Sequence, residues 1–291
     1  MTTRQLRPPF PWIGGKYYSA AQIVAAFPAP QSYDIYVDLF GGAANILLQK
    51  PLYKKHVEVY NDMGSDLVNF WLQCRDHADL LEERLSSLPY SREVYYQYHH
   101  DLYAGEPLDP LERAVRWFYV LRSSFTGWER ASSPPGWSAG ITDSGRCDAH
   151  SYHSALDLFG PLHRRMQHVL IDHRDFAAVF ASYNRPRVLF YGDPPYIGAE
   201  HYYQNAFTKE DHMRLATLLN ASPAFVALSY YPHPLLDSLY SAPKWRRVMW
   251  NVVKHSQRTQ ENREHTTEML LCNYAPAMAS LWEVNAHENE R

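Results

Sequence analysis

A mostly apolar run at 33–38 passes without a break into Asp38-Leu39-Phe40-Gly41-Gly42, and no other stretch restricts the fold as much. A short apolar run followed at once by paired glycines reads as a buried strand entering a tight turn. Helical spacing follows at 43–50, and a second strand pattern at 56–60 ends on Asn61-Asp62. Over 65–75, Leu67, Val68, Trp71 and Leu72 then keep helical spacing. Strand, helix, strand, helix in close succession implies a parallel sheet, because parallel neighbours need a crossover. The pattern resumes with strands at 169–172, 188–191 and 225–230 and helices at 176–183 and 208–219. Thr208 and Asp211 imitate a capping box at the start of the last helix. Residues 247–253 and 268–274 read as an antiparallel ribbon across a polar loop at 255–265, giving about seven strands in all.

The stretch 76–167 has a different character. Helical spacing at 92–103 and 110–121 gives way to Ser, Gly, Pro and Trp over 122–146, with no parallel-strand pattern. It reads as a mostly helical insert, with an irregular loop or hairpin, between two parts of one α/β domain at 1–75 and 168–291. Hydrophobic residues make up 46% and charged residues 20%, a balance that supports a packed core. No apolar run approaches the roughly 20 residues that span a bilayer, and 1–9 has no signal-type apolar centre, so a cytoplasmic location is expected. Cys74, Cys147 and Cys272 are scattered, which disfavours a disulfide framework and a CxxC site. His150 and His153 lie close together but no zinc-type set completes them, so no metal is expected. The formal net charge of −3 gives no general basic excess, and a nucleic-acid partner must meet local positive charge. Between Lys55 and Lys209 every such charge is Arg, whose fork suits guanine or phosphate.

Asp193-Pro194-Pro195-Tyr196 follows a buried strand, where open α/β sheets place their ligands. The prolines remove two N–H donors and stiffen the segment. The Asp193 carboxylate and the Pro194 carbonyl are then acceptors able to hold both hydrogens of an aromatic amine, as on adenine, and Tyr196 offers a face for an extruded base. A plain Asp-Pro-Pro turn is the alternative, and its placement after a strand argues against it. The turn from Asp38 through Phe40, Gly41 and Gly42 to Asn45 allows a cofactor close to the backbone, although a simple tight loop has the same pattern. Asp62 closes the next strand, where an acid can accept both ribose hydroxyls of a nucleoside cofactor. Gly14-Gly15-Lys16 is not a phosphate loop, because the upstream glycine is missing and Tyr17 replaces Ser or Thr. A lysine beside two glycines can instead hold a carboxylate, although an ordinary surface turn has the same pattern.

Taken together, these residues resemble the DNA adenine N6-methyltransferase family, in its alpha group with cofactor motif, target-recognition insert and DPPY in that order. The family's W-x-G-G-K corresponds to residues 12–16, its D/E-x-F-x-G-x-G turn to 38–44 and its post-strand acid to Asp62. Its weaker Asp-Phe element corresponds to Asp175-Phe176 and its recognition hairpin to 122–130. The resemblance implies a Rossmann-like seven-stranded methyltransferase sheet with a mostly helical inserted target-recognition domain. It implies S-adenosylmethionine as cofactor, held by Trp12, Gly15, Lys16, Asp38, Phe40, Gly41, Gly42, Asn45, Asp62, Asp175, Phe176 and Asp193. Catalysis would rest on Asp193, Pro194, Pro195 and Tyr196. Double-stranded DNA would meet Arg122, Thr126, Gly127, Trp128 and Arg130, with no metal and no membrane involved. Three departures stand out: Ala44 replaces the last glycine of the turn, Thr126 and Trp128 replace the usual Asn and Leu, and Pro11 stands where GATC-reading members carry Lys. GATC is therefore not inferred as the target.

Rival readings are an RNA adenine methyltransferase, a cytosine-N4 enzyme, a non-catalytic nucleic-acid-binding relic and a nucleotide-binding oxidoreductase. Asp at 193 favours adenine over cytosine. The intact tetrapeptide and Asp62 speak against a relic, and an oxidoreductase leaves residues 193–196 without a role.

Overall fold

The computed structural model describes residues 6–125, 136–141, 147–198, 207–253 and 265–276. Among these, seven strands are present: β1 Ile35–Asp38, β2 Val57–Asn61, β3 Val169–Asp172, β4 Val188–Gly192, β5 Phe225–Tyr230, β6 Arg246–Val253 and β7 His265–Cys272. They form one sheet in the order β3-β2-β1-β4-β5-β7-β6. β1 pairs in parallel with β2 and β4, and β4 with β5. β7 is antiparallel to both β5 and β6. The expected α/β class, strand number and closing antiparallel ribbon are all present.

The chain order reverses between β1 and β4, and such a switch point opens a crevice at the carboxyl ends of the two strands. Asp38 ends β1, and Asp193 follows the last residue of β4.

All residues of β1 and β4 are buried, as expected for parallel strands covered on both faces. Alternate residues Val37, Val59, Val188, Phe190, Val226, Leu228, Met269 and Leu271 join one apolar cluster with Phe176, Val179, Leu215, Leu219 and Leu236. The other strand positions include buried Tyr36, Asp38, Glu58, Tyr60, Tyr191 and Ser229. There the Lys50 ammonium meets Glu58 Oε1 at 2.8 Å, with side chains 1% and 0% exposed. The rings of Tyr33, Tyr36 and Tyr53 stand 6.0, 5.2 and 5.0 Å from that ammonium.

Two elements differ from expectation. The helix after the glycine turn covers only Asn45–Gln49, because Gly42 and Ala44 have φ of +50° and +58° and hold the preceding backbone out of the helical region. β7 ends at Cys272. Beyond it, the Asn273 side chain takes over from the ladder, accepting from Val226 N–H at 2.8 Å and donating to the Ala224 carbonyl at 2.8 Å. The expected capping box is present: Thr208 Oγ1 accepts from Asp211 N–H, and the Asp211 carboxylate accepts from Thr208 N–H.

Two compact units divide the chain, one of Met1–Tyr17, Gly42–Gln49 and Asp62–His173, the other of Tyr18–Gly41, Lys50–Asn61 and Arg174–Arg291. Residues 76–167 lie wholly within the first. They contribute helices Ala78–Ser86, Arg92–Tyr103, Pro110–Ser123, Asp148–Leu156 and Phe159–Met166. Asp109 starts the third of these, its carboxylate accepting from Leu111 and Glu112 N–H ahead of Pro110. An antiparallel bridge joins Ser124 to Trp137. Among the described residues no helix is long and apolar enough to cross a membrane.

Candidate active site

In the first unit, an aromatic cluster fixes the N-terminal segment. Phe10 packs at 5.2 Å from Phe70 and 5.3 Å from Trp117, and Trp12 stands 6.3 Å from Trp117. The chain then turns sharply, with Gly15 N–H donating to the Trp12 carbonyl at 3.1 Å. Lys16 is buried, and its ammonium donates to the Gly14 carbonyl at 2.9 Å. A Cβ on Gly15 would lie 3.0 Å from that Trp12 oxygen and 3.1 Å from Asn45 Nδ2. Trp12, Gly15, Lys16 and Asn45, far apart in sequence, are thus drawn together.

Gly42 is held at both ends of its residue. Its N–H donates to Asp62 Oδ2 at 2.8 Å, and its carbonyl accepts from Trp71 Nε1 at 3.3 Å. A Cβ here would meet the Trp12 indole at 3.0 Å. The second Asp62 oxygen accepts from Gly64 N–H at 2.8 Å. Burial raises the Asp62 pKa, against the lowering by N–H groups of Gly64, Gly42 and Met63. Asp62 is therefore the brace of the glycine turn, a role that sequence reading did not anticipate.

Ala44 keeps the backbone that the resembling family gives to glycine. Left-handed φ costs an alanine about 1–2 kcal/mol, while a glycine here would forfeit a buried methyl worth about 0.8 kcal/mol and add about 0.4–1 kcal/mol of unfolded-state entropy. These terms nearly cancel. Ala44→Gly is expected to shift Tm by no more than about 3 °C, whereas Ala44→Val, β-branched at a fully buried site, should lower it several times further. Thermal unfolding of both variants checks this, and equal effects would mean that φ at position 44 is not the constraint.

In the second unit, Gly41 N–H donates to the Asn61 carbonyl at 2.7 Å. A Cβ on Gly41 would strike the Tyr60 ring at 2.2 Å, so only glycine allows this approach. Asp38 is buried and accepts from the Tyr36 hydroxyl at 3.3 Å. Phe40 forms a three-ring set with Phe176 at 5.6 Å and Phe207 at 5.6 Å, and the Arg214 guanidinium lies 4.7 Å over Phe176. Asp175 accepts from Ala177 N–H at 2.9 Å as the helix cap and pairs with Arg214. Its carboxylate thus caps the helix that begins with Phe176.

Residues 193–196 leave β4 without regular structure, with Asp193 half-buried and Pro194 and Tyr196 buried. Tyr191 donates to or accepts from Ser229 Oγ at 2.9 Å. Tyr196 donates to Glu268 Oε2 at 3.1 Å and has Tyr230 and Tyr231 as ring neighbours at 5.5 and 4.5 Å. Burial, followed by the charge of Asp193, holds the Tyr191 and Tyr196 hydroxyls well above the ordinary tyrosine pKa, so both stay protonated. Glu268 entered the sequence reading only as part of a closing strand, since its partner lies 72 residues away.

Of the residues expected to meet DNA, Thr126, Gly127, Trp128 and Arg130 lie outside the described residues. Arg122 is half-buried, and its guanidinium donates to the Ser151 carbonyl at 2.7 Å and hydroxyl at 2.6 Å. It ties helix Pro110–Ser123 to helix Asp148–Leu156. Flanking it, Phe125 N–H donates to the Gly136 carbonyl and Ser138 N–H to the Ser123 carbonyl.

A family model described as D12 class N6 adenine-specific DNA methyltransferase matches residues 12–254. The type II methyltransferase M1.LlaDCHI of Lactococcus lactis subsp. cremoris is 24% identical over 292 residues, covering 92% of this chain and 96% of the relative. Among solved structures, the rRNA methyltransferase AviRa of Streptomyces viridochromogenes aligns with a TM-score of 0.39 at 13% identity, over 91% of this chain and 87% of that one. Protein LPL1258 of Legionella pneumophila aligns with a TM-score of 0.34 at 12% identity, over 91% of this chain and 85% of that one.

Proposed function

This chain belongs to the D12 class of N6 adenine-specific DNA methyltransferases, and from that premise we propose that S-adenosylmethionine is its methyl donor and double-stranded DNA its substrate. The observation that carries the reading is the placement of Asp193-Pro194-Pro195-Tyr196 directly after β4, at the β1/β4 switch point.

The residues fit such a donor. At 41 and 42 the missing side chains let the Tyr60 ring and the Trp12 indole close on the turn that the nucleoside meets. Lys16, a buried ammonium with three donors, suits a carboxylate. Asp62 keeps acceptor capacity beyond its backbone bonds, since a carboxylate offers about four acceptor positions. Phe40 and Phe176 give an apolar wall that Asp175 holds in place through the helix cap. When bound, the cofactor supplies an electrophilic methyl group on a sulfonium.

Asp193 and the Pro194 carbonyl hold the two hydrogens of the adenine amine, which turns its lone pair away from ring conjugation. Tyr196 stacks the extruded base. At 5% exposure its ring is already enclosed, so a base must displace a present neighbour. Tyr231, 38% exposed at the end of β5, yields at the least cost. The segment holding Thr126, Gly127, Trp128 and Arg130 contacts DNA, with Arg130 on a guanine edge or a phosphate and Arg122 bracing its base.

The test is transfer of labelled methyl from S-adenosylmethionine to duplex DNA, followed by digestion to nucleosides. Label is expected in N6-methyladenine; label in a cytosine product, or in RNA alone, would reject the reading. Lys16→Ala and Asp62→Ala should each weaken cofactor binding by roughly ten- to a hundredfold, the worth of a charge-assisted hydrogen bond. Calorimetry showing unchanged affinity in both variants removes those assignments.

A further inference from the structure

We propose that Glu268 is a positioning residue for methyl transfer, its carboxylate holding the Tyr196 hydroxyl and thereby fixing the ring against which the target adenine stacks. This rests on the reading of Tyr196 as the stacking face. Glu268 lies on β7, at 4% exposure, opposite Trp250 of β6. A carboxylate so enclosed is costly unless hydrogen bonds satisfy it. One such bond comes from Tyr196, at the end of a segment with no ladder of its own.

The Tyr196 ring's neighbours Tyr230 and Tyr231 are tilted by 36° and 80° to it, so neither stacks flat on it. Tyr231 is also the neighbour that must yield to a base. Once it does, the hydroxyl bond to Glu268 continues to set the ring plane from the far end. The hydroxyl stays a donor at working pH, since burial and the charges of Asp193 and Glu268 suppress its ionisation. Glu268 belongs to the antiparallel ribbon, while Asp193 and Tyr196 follow a parallel strand, so the bond ties the catalytic segment to a separate part of the sheet.

The experiment uses the full chain and a duplex bearing its methylated site, located by sequencing methylated bases in DNA from expressing cells. Single-turnover methyl transfer is measured with labelled S-adenosylmethionine, and base extrusion with 2-aminopurine at the target position. Glu268→Leu and Tyr196→Phe remove the same bond from opposite ends. Each should slow transfer by roughly ten- to a hundredfold and diminish the 2-aminopurine signal, with cofactor affinity within about twofold of wild type. The double variant should be no slower than the slower single variant, because the two share one interaction. Glu268→Gln retains an acceptor and should recover the rate to within about fivefold. The proposal is overturned if both single variants match wild type, or if their losses multiply in the double variant. Tyr196→Phe keeps the ring, so the test survives even if the leucine variant folds poorly. Tyr196→Ala transferring and extruding at the wild-type rate would overturn the stacking role itself. Loss in that variant, together with wild-type behaviour of Tyr196→Phe and Glu268→Leu, overturns the Glu268 proposal alone.

Discussion

Asp193→Asn is expected to lower the single-turnover rate of methyl transfer by about 10²–10³, the usual effect of losing one preorganised electrostatic contact that strengthens in the transition state. The amine of adenine becomes nucleophilic only when both hydrogens are held and positive charge developing on nitrogen is stabilised. A carboxylate does both. Asparagine fills nearly the same volume but carries no charge, and half of its head group is a donor that faces other donors. The Pro194 carbonyl, proposed as the second acceptor, belongs to the backbone and survives any side-chain change. Because Asp193 is half-buried after Gly192, the variant has room to fold. Cofactor affinity should fall less than the rate. The same labelled-methyl assay checks this, and undiminished transfer by the Asn variant would mean that another group prepares the amine.

The largest effect on stability is expected at Lys50. Its ammonium and the Glu58 carboxylate are both withdrawn from water and 2.8 Å apart. Removing one partner of such a pair commonly costs about 3–5 kcal/mol, since the remaining charge stays buried without its counterion. Lys50→Met keeps the length of the side chain and its contact with the rings of Tyr33, Tyr36 and Tyr53 but loses the charge. A loss of about 3–5 kcal/mol in urea unfolding is therefore predicted for this variant. The double variant Lys50→Met with Glu58→Leu should regain most of it, because apolar replacement of a whole buried pair is often neutral. A single-variant loss under about 1 kcal/mol would show that water reaches Glu58.

The strands were legible because each is a short apolar run bounded by turn residues, and alternation or full burial follows directly from that pattern. The helix at 208–219 was legible from a local cap, Thr208 with Asp211, in which both partners lie within one turn. What stayed hidden depends on residues distant in sequence. Asp62 could be read as an acid after a strand, but its bond to Gly42 N–H joins residues 20 apart. Asp175 matched a motif, and its pairing with Arg214 spans 39 residues. Arg122 lay in a segment that resembled a recognition hairpin, and its guanidinium turned toward Ser151, 29 residues on. Such long side chains find partners that no local spacing announces. The short helix Asn45–Gln49 was overestimated for the opposite reason: Ala44 is a strong helix former by propensity, and the turn overrides it with positive φ.

The division of the chain bears on how it can be made. The two units alternate along the sequence, changing over after residues 17, 41, 49, 61 and 173. During synthesis the first 61 residues supply pieces of both, and those of the second unit wait for the rest of it more than a hundred residues downstream. β1 finds β2 early, but its other neighbour, β4, emerges only after the whole of 62–173. Such non-local pairing slows folding and lengthens the time that strand edges stay open to aggregation. A fragment cut at 76–167 would carry its helices away from the N-terminal segment that packs on Phe70 and Trp117. The chain is therefore expected to resist dissection, and limited proteolysis should release no stable piece that corresponds to a single stretch of sequence.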